Sequence, residues 1–167
     1  MIDSTNICLA CGLCCTGTLI GFVQLNSEEL PVVRKLMDIE EASNDGVFLQ
    51  PCNKYCDGCT IYLDRPKQCA SYKCELLKSV ERKEVDFKSA VEIVDVVKQK
   101  KSAIEERLAL LQIKLQSHSF YFKMTELKNL YQKNEHELSS TPDFIDLIAD
   151  IKQLDNLLSE RFGVTVF

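Results

Sequence analysis

The chain has 167 residues, of which 46% are hydrophobic, and a formal net charge of −5. That length fits one domain, or a small domain with an extension, and the apolar content is enough for a core. The acidic balance carries no basic footprint for phosphate-driven nucleic-acid binding, and no apolar run approaches the ~20 residues of a membrane-spanning helix.

The N-terminus, Met1-Ile2-Asp3-Ser4-Thr5-Asn6, is polar and acidic where a secretory signal needs a basic and then an apolar stretch. The expectation is a soluble cytoplasmic protein. Nine cysteines lie between Cys8 and Cys74, and none follows. In a reducing cytosol such clusters point to metal ligands or redox groups rather than disulfides, and an odd number would leave one thiol over.

The first four cysteines read Cys8-x-x-Cys11-x-x-Cys14-Cys15. Two intervening residues let a tight turn aim two sulfurs at one ion. Cys8-x-x-Cys11-Gly12 has the form of a metal knuckle, in which glycine accepts the required backbone geometry and amides point at sulfur. Were the segment helical, Cys8, Cys11 and Cys15 would share one face and Cys14 would not. Adjacent side chains diverge, so Cys14 and Cys15 serve two separate sites, or one of them is a buried thiol.

Phe22-Val23-Gln24-Leu25 reads as a short strand. Asn26 or Ser27 then caps a helix with Glu28 and Glu29 in its first turn, expected to run to about Glu41. Ser43-Asn44-Asp45-Gly46 is a turn signal. Val47-Phe48-Leu49 leads into Cys52-x-x-x-Cys56-x-x-Cys59. This is the CxxxCxxC spacing of radical-SAM enzymes, but the chain lacks the length and strand–helix alternation of their barrel, and Gly58 stands where they carry an aromatic. Ile61-Tyr62-Leu63 reads as a second strand, and Pro66 suits the first turn of a helix. On one continuous helix Cys69 and Cys74 would lie ~140° apart, so either the helix breaks between them or they serve different sites. Arg65 is placed to donate to thiolates or an acid, or to form a surface salt bridge.

After residue 80 the pattern is helical. Ala90, Val94, Val97, Lys101, Ile104, Leu108, Leu111 and Leu115 form one heptad seam, so a long helix is expected over 90–115. Met124, Leu127 and Tyr131 mark a weaker helix. Thr141-Pro142-Asp143 starts another, with Phe144, Leu147, Ile151, Leu154 and Leu158 on its apolar face and Gly163 at its end. The expected fold is mainly α with minor β: a small irregular Cys-rich metal-binding domain over 1–80, and a C-terminal antiparallel helical hairpin or three-helix bundle over 81–167. A dimer through the long helix is the alternative to a monomer. His118 and His136, both flanked by polar residues, read as surface side chains. There is no Walker loop, GxGxxG or GxSxG, so no catalytic residue or organic cofactor is assigned and an enzyme is not the expectation.

The CxxCxxCC run, followed by Cys59-Thr60-Ile61-Tyr62-Leu63-Asp64-Arg65-Pro66-Lys67-Gln68-Cys69 and then Cys74, resembles the CxxCxxCC cysteine-cluster family, whose members are described as zinc- or iron-chelating. The resemblance covers about residues 8–74. It implies eight metal ligands: Cys8, Cys11, Cys14, Cys15, Cys52, Cys59, Cys69 and Cys74. Cys56 falls outside the family pattern. A related cluster occurs in flagellin lysine methylases. Eight thiolates suit two four-thiolate zinc sites, or one [4Fe–4S] cluster with a second site. Three functions follow: a metal-stabilised module whose C-terminal helices recognise a protein partner, a zinc- or iron-chelating and delivery protein, or an iron–sulfur protein acting in electron transfer or as an enzyme accessory.

Overall fold

The computed structural model describes residues 6–37, 39–42, 45–134 and 141–167. Within them the chain is mainly helical, with one small antiparallel sheet. No helix among the described residues is long and apolar enough to cross a membrane.

The first helix, α1 (Ile7–Cys11), is a single turn. Its first amides are satisfied by the Asn6 side chain, which accepts the Cys8 N–H at 3.0 Å. Gly12 ends it in a left-handed conformation (φ 66°), the usual geometry of a helix stop. Strand β1 (Phe22–Leu25) follows, with Val23 and Leu25 inward. Asn26 accepts the amides of Glu28 and Glu29, and the Glu29 carboxylate accepts the Asn26 N–H. This is a reciprocal capping box, so Asn26 rather than Ser27 starts the helical segment.

That segment is much shorter than expected. Helix α2 covers Leu30–Val33 and loosens into turns. Glu40–Ala42 form β2, paired antiparallel with β3 (Asp45–Leu49). Strand β3 also pairs with β1, and the order is β1-β3-β2. Backbone groups of 40–42 find partners on the second edge of β3, and that pairing outweighs a weak helical preference. Of the expected turn, Ser43 and Asn44 lie outside the described residues, while Asp45 and Gly46 belong to β3.

Ile61–Leu63 is not a strand. Tyr62–Asp64 make a 3-10 turn, and α3 (Lys67–Ser71) begins directly after Pro66. Helix α3 occupies the outer edge of β1, where Gln68 Oε1 accepts the Gln24 N–H at 2.6 Å. A strand at 61–63 has no edge left there to join. At Tyr72 the backbone becomes extended, and Cys74 then caps α4 (Glu75–Glu81).

Helix α5 (Phe87–Leu110) buries Ala90, Val94, Val97, Ile104 and Leu108 of the predicted seam. Its end comes before 115, because Gln112 turns the chain at φ 54°; Leu111 and Leu115 pack on the core from outside the helix. Lys101, the polar member of the seam, lies 5.7 Å from the Phe120 ring centre and 3.4 Å from Glu105. Helix α6 (Phe120–Lys133) buries Phe120, Met124 and Leu127, and Tyr131 stacks on Phe144. Helix α7 (Pro142–Phe162) starts and stops where expected, although the Thr141 hydroxyl makes no capping bond. Its five predicted apolar positions are all buried. His118 is exposed, and His136 lies outside the described residues.

Among the described residues there are two cores. The larger joins α5, α6 and α7 to Ile7, Cys11, Leu13 and Leu19 of the N-terminal segment and to Leu76 of α4. Its packing therefore crosses residue 80. The smaller is built by Val23, Leu25, Leu30, Val33, Met37 and Phe48. Ile20 packs against both.

Candidate metal centre

A cavity of about 360 Å³ lies at the junction of the two cores. Eight of the nine cysteines line it: Cys8, Cys11, Cys14, Cys15, Cys52, Cys59, Cys69 and Cys74. All nine thiols are free. Cys56 is exposed and is not part of the lining.

Core packing separates them: Cys11, Cys14 and Cys74 belong with the larger core, and Cys52 and Cys69 with the smaller. Electrostatic influence extends this to a first set, with Cys8 beside Cys11, Cys14 and Cys74, and a second, with Cys52, Cys59 and Cys69 beside Cys15. The two sets adjoin at the Cys14-Cys15 pair, where Cys15 acts on Cys14 and Cys11 on Cys15. Among the described residues, no group of three or more His, Cys, Asp and Glu stands at metal-holding spacing. The thiols share a cavity and sort into neighbours without being drawn into a closed shell.

The local backbone explains the sorting. Helix α1 carries Cys8 and Cys11, and its termination at Gly12 removes the helical alternative in which Cys15 would join them. The turn that follows is held by Thr16 N–H to Gly12 O and Thr18 N–H to Leu13 O, both 2.9 Å. Gly12 has a second constraint: a Cβ there would run into the Tyr55 ring. Cys15 is fastened to the other set through its carbonyl, which accepts the Cys52 N–H at 2.8 Å. The Cys52–Cys59 loop folds back on itself, with the Thr60 N–H and hydroxyl donating to Lys54 O at 2.9 and 2.8 Å. Cys69 sits on α3 and Cys74 caps α4, so the helix breaks between them.

Two sulfurs already accept backbone N–H groups. Lys54 N–H reaches Cys52 Sγ at 3.4 Å, and Leu77 N–H reaches Cys74 Sγ at 3.5 Å. Such bonds favour the thiolate. Burial opposes it. Desolvation pushes the Cys11 thiol up to about 12, and Cys74 and Cys8 add to the rise against the Leu13 amide and Lys98. Burial also raises Cys15 and Cys69 to about 12; Cys59, Cys52, Cys69 and Cys11 add to the first, and Cys52 and Cys59 to the second. Cys14 is raised further by burial, then by Cys11, Cys74, Cys15 and Cys8. Cys8 is exposed at the rim, yet the surrounding protein still raises it, with Cys74 adding and Arg65 opposing. Burial therefore favours the neutral form of the raised thiols, and a cation that replaces their protons removes the conflict.

Several residues at this centre carry no signal in the sequence. Asn6 Nδ2 donates to the Tyr62 hydroxyl at 2.6 Å, across 56 positions of chain. Tyr55 covers Gly12. Tyr72 lines the cavity, and burial followed by Cys14 and Cys74 raises its phenol. Only Gly12, directly after CxxC, is readable in advance as a turn.

Comparison with protein-family models, curated proteins and solved structures finds no match.

Proposed function

We propose that the protein binds metal through two sets of four thiolates, Cys8/Cys11/Cys14/Cys74 and Cys15/Cys52/Cys59/Cys69. One observation carries the reading: eight cysteines from separate segments line one cavity, with Cys11, Cys14 and Cys74 on the larger core and Cys52 and Cys69 on the smaller, while the ninth stays outside on the surface. They are the same eight that the CxxCxxCC resemblance implies.

The donor chemistry suits the load. Four thiolates complete the tetrahedral shell of zinc and leave no position open, so these would be structural sites. Bound zinc of this kind contributes ~10–16 kcal/mol apparent in small peptides. Here that energy would fasten the smaller core to the larger at their junction. The helices beyond residue 80 would then present a surface to a protein partner in the cytoplasm.

Iron–sulfur chemistry is the second reading, and the size of the cavity favours it. Inorganic sulfide together with iron occupies more of 360 Å³ than bare ions do, and cysteine thiolates are the normal cluster ligands.

Elemental analysis and a visible spectrum of protein purified without air test both readings. Two equivalents of zinc and no colour support the first. Iron with sulfide and absorption near ~400 nm supports the second. Protein that retains no metal and takes up neither zinc nor iron would sink the reading.

A further inference from the structure

We propose that Arg65 is the shared positive partner of both thiolate sets, holding the charge of two loaded sites together through a network with Tyr62 and Asn6. The inference rests on the metal-binding reading above and adds a positioning residue to it.

The geometry is specific. Arg65 is half-buried and lines the cysteine cavity. Its guanidinium carbon sits 3.8 Å from the Tyr62 ring centre, and Nη1 donates to the Tyr62 carbonyl. The head group is therefore fixed from two directions. The Tyr62 hydroxyl accepts from Asn6, and Asn6 in turn caps the helix that carries Cys8 and Cys11. On the other side, Arg65 is followed by Pro66 and the helix that carries Cys69. One side chain on the cavity wall thus links the helix that carries Cys8 and Cys11 to the helix that carries Cys69. Lys73 also lines the cavity, but its ammonium is paired with Glu81 at 2.7 Å.

The physical need is plain. Four thiolates around a divalent ion carry net negative charge, and two such sites in one cavity repel. A fixed cation on the wall of that cavity lowers the cost for both at once. Partners in this outer layer are worth ~10–100-fold in metal affinity.

The test uses full-length protein stripped of metal and titrated with zinc against a competing chelator. Arg65→Gln is expected to weaken both equivalents by ~10–100-fold, and Arg65→Lys, which keeps the charge, to hold both within about tenfold of the wild type. Weakening of one equivalent only, or of neither, in Arg65→Gln overturns the proposal. Should Arg65→Gln fail to fold, Arg65→Lys decides alone, because a loss from either site beyond about tenfold overturns it as well. Wild-type protein that binds no zinc or iron would instead sink the metal-binding reading itself.

Discussion

The Cys52 N–H donates to the Cys15 carbonyl at 2.8 Å, so the chain leaving β3 is fastened to the second member of the Cys14-Cys15 pair. Cys14 instead packs on the larger core, as Cys11 and Cys74 do. One peptide bond therefore joins two thiol sets that border different cores, since Cys14 and Cys74 pack on the larger and Cys52 and Cys69 on the smaller.

That division makes Cys14 and Cys15 separable by mutation. Cys14→Ser is expected to lose one of two metal equivalents, and Cys15→Ser to lose the other. Elemental analysis of the single variants and of the double variant reads this directly. If one variant lost both equivalents and the other none, the assignment of the pair would be wrong.

Cys56→Ser is expected to keep the full metal content of the wild type, because its side chain is exposed and outside the cavity lining. A fall of one equivalent would place Cys56 in the shell after all.

The metal-free fold should weaken as pH rises above about 9. The thiols of Cys11, Cys15 and Cys69 are raised to about 12 by burial, whereas in the unfolded chain they ionise at about 8.5. Between those values the unfolded state binds fewer protons, so its population gains with pH. Metal loading reverses the preference: at neutral pH each ion displaces about four thiol protons, and affinity rises with pH. Urea denaturation from pH 7 to 10 checks the first statement, and proton release in unbuffered metal titrations checks the second. Flat stability of metal-free protein over that range would contradict the burial of these thiols.

Gly12→Ala should destabilise the N-terminal segment by more than the ~1–2 kcal/mol of a left-handed alanine, because the added carbon also displaces the Tyr55 ring. Denaturation in the presence of a chelator isolates this effect from metal binding. A change below about 0.5 kcal/mol would show that the turn relaxes freely.

Leu147→Ala removes a fully buried side chain from α7 and should cost ~2–5 kcal/mol. Since Ile7, Cys11 and Leu13 belong to the same core, hydrogen exchange should quicken in residues 7–19 as well as in the helices. Protection of 7–19 left unchanged would show that the two regions unfold separately.

Much of this molecule was legible before any fold was known. Apolar spacing located α5 and α7, because a seam at 3.6-residue period has to face a core wherever that core is. Proline at 142 and glycine at 163 bounded α7 through backbone chemistry alone. The short apolar segment at 22–25 marked β1. Short apolar runs were less secure: residues 40–42 and 61–63 took their conformations from which sheet edge was open to them.

By itself the sequence settled which residue types are present for metal chemistry and at what local spacing, since those are properties of the chain. It could not settle how the thiols divide. Cys14 parts from Cys15 because Gly12 ends a helix at one point and a hydrogen bond from Cys52 holds the chain at another. Cys8, Arg65 and Cys74 come to line one cavity although dozens of residues separate the first from the others. Spacing reports only what neighbours along the chain can do; the three-dimensional packing of two cores decides which distant atoms become neighbours.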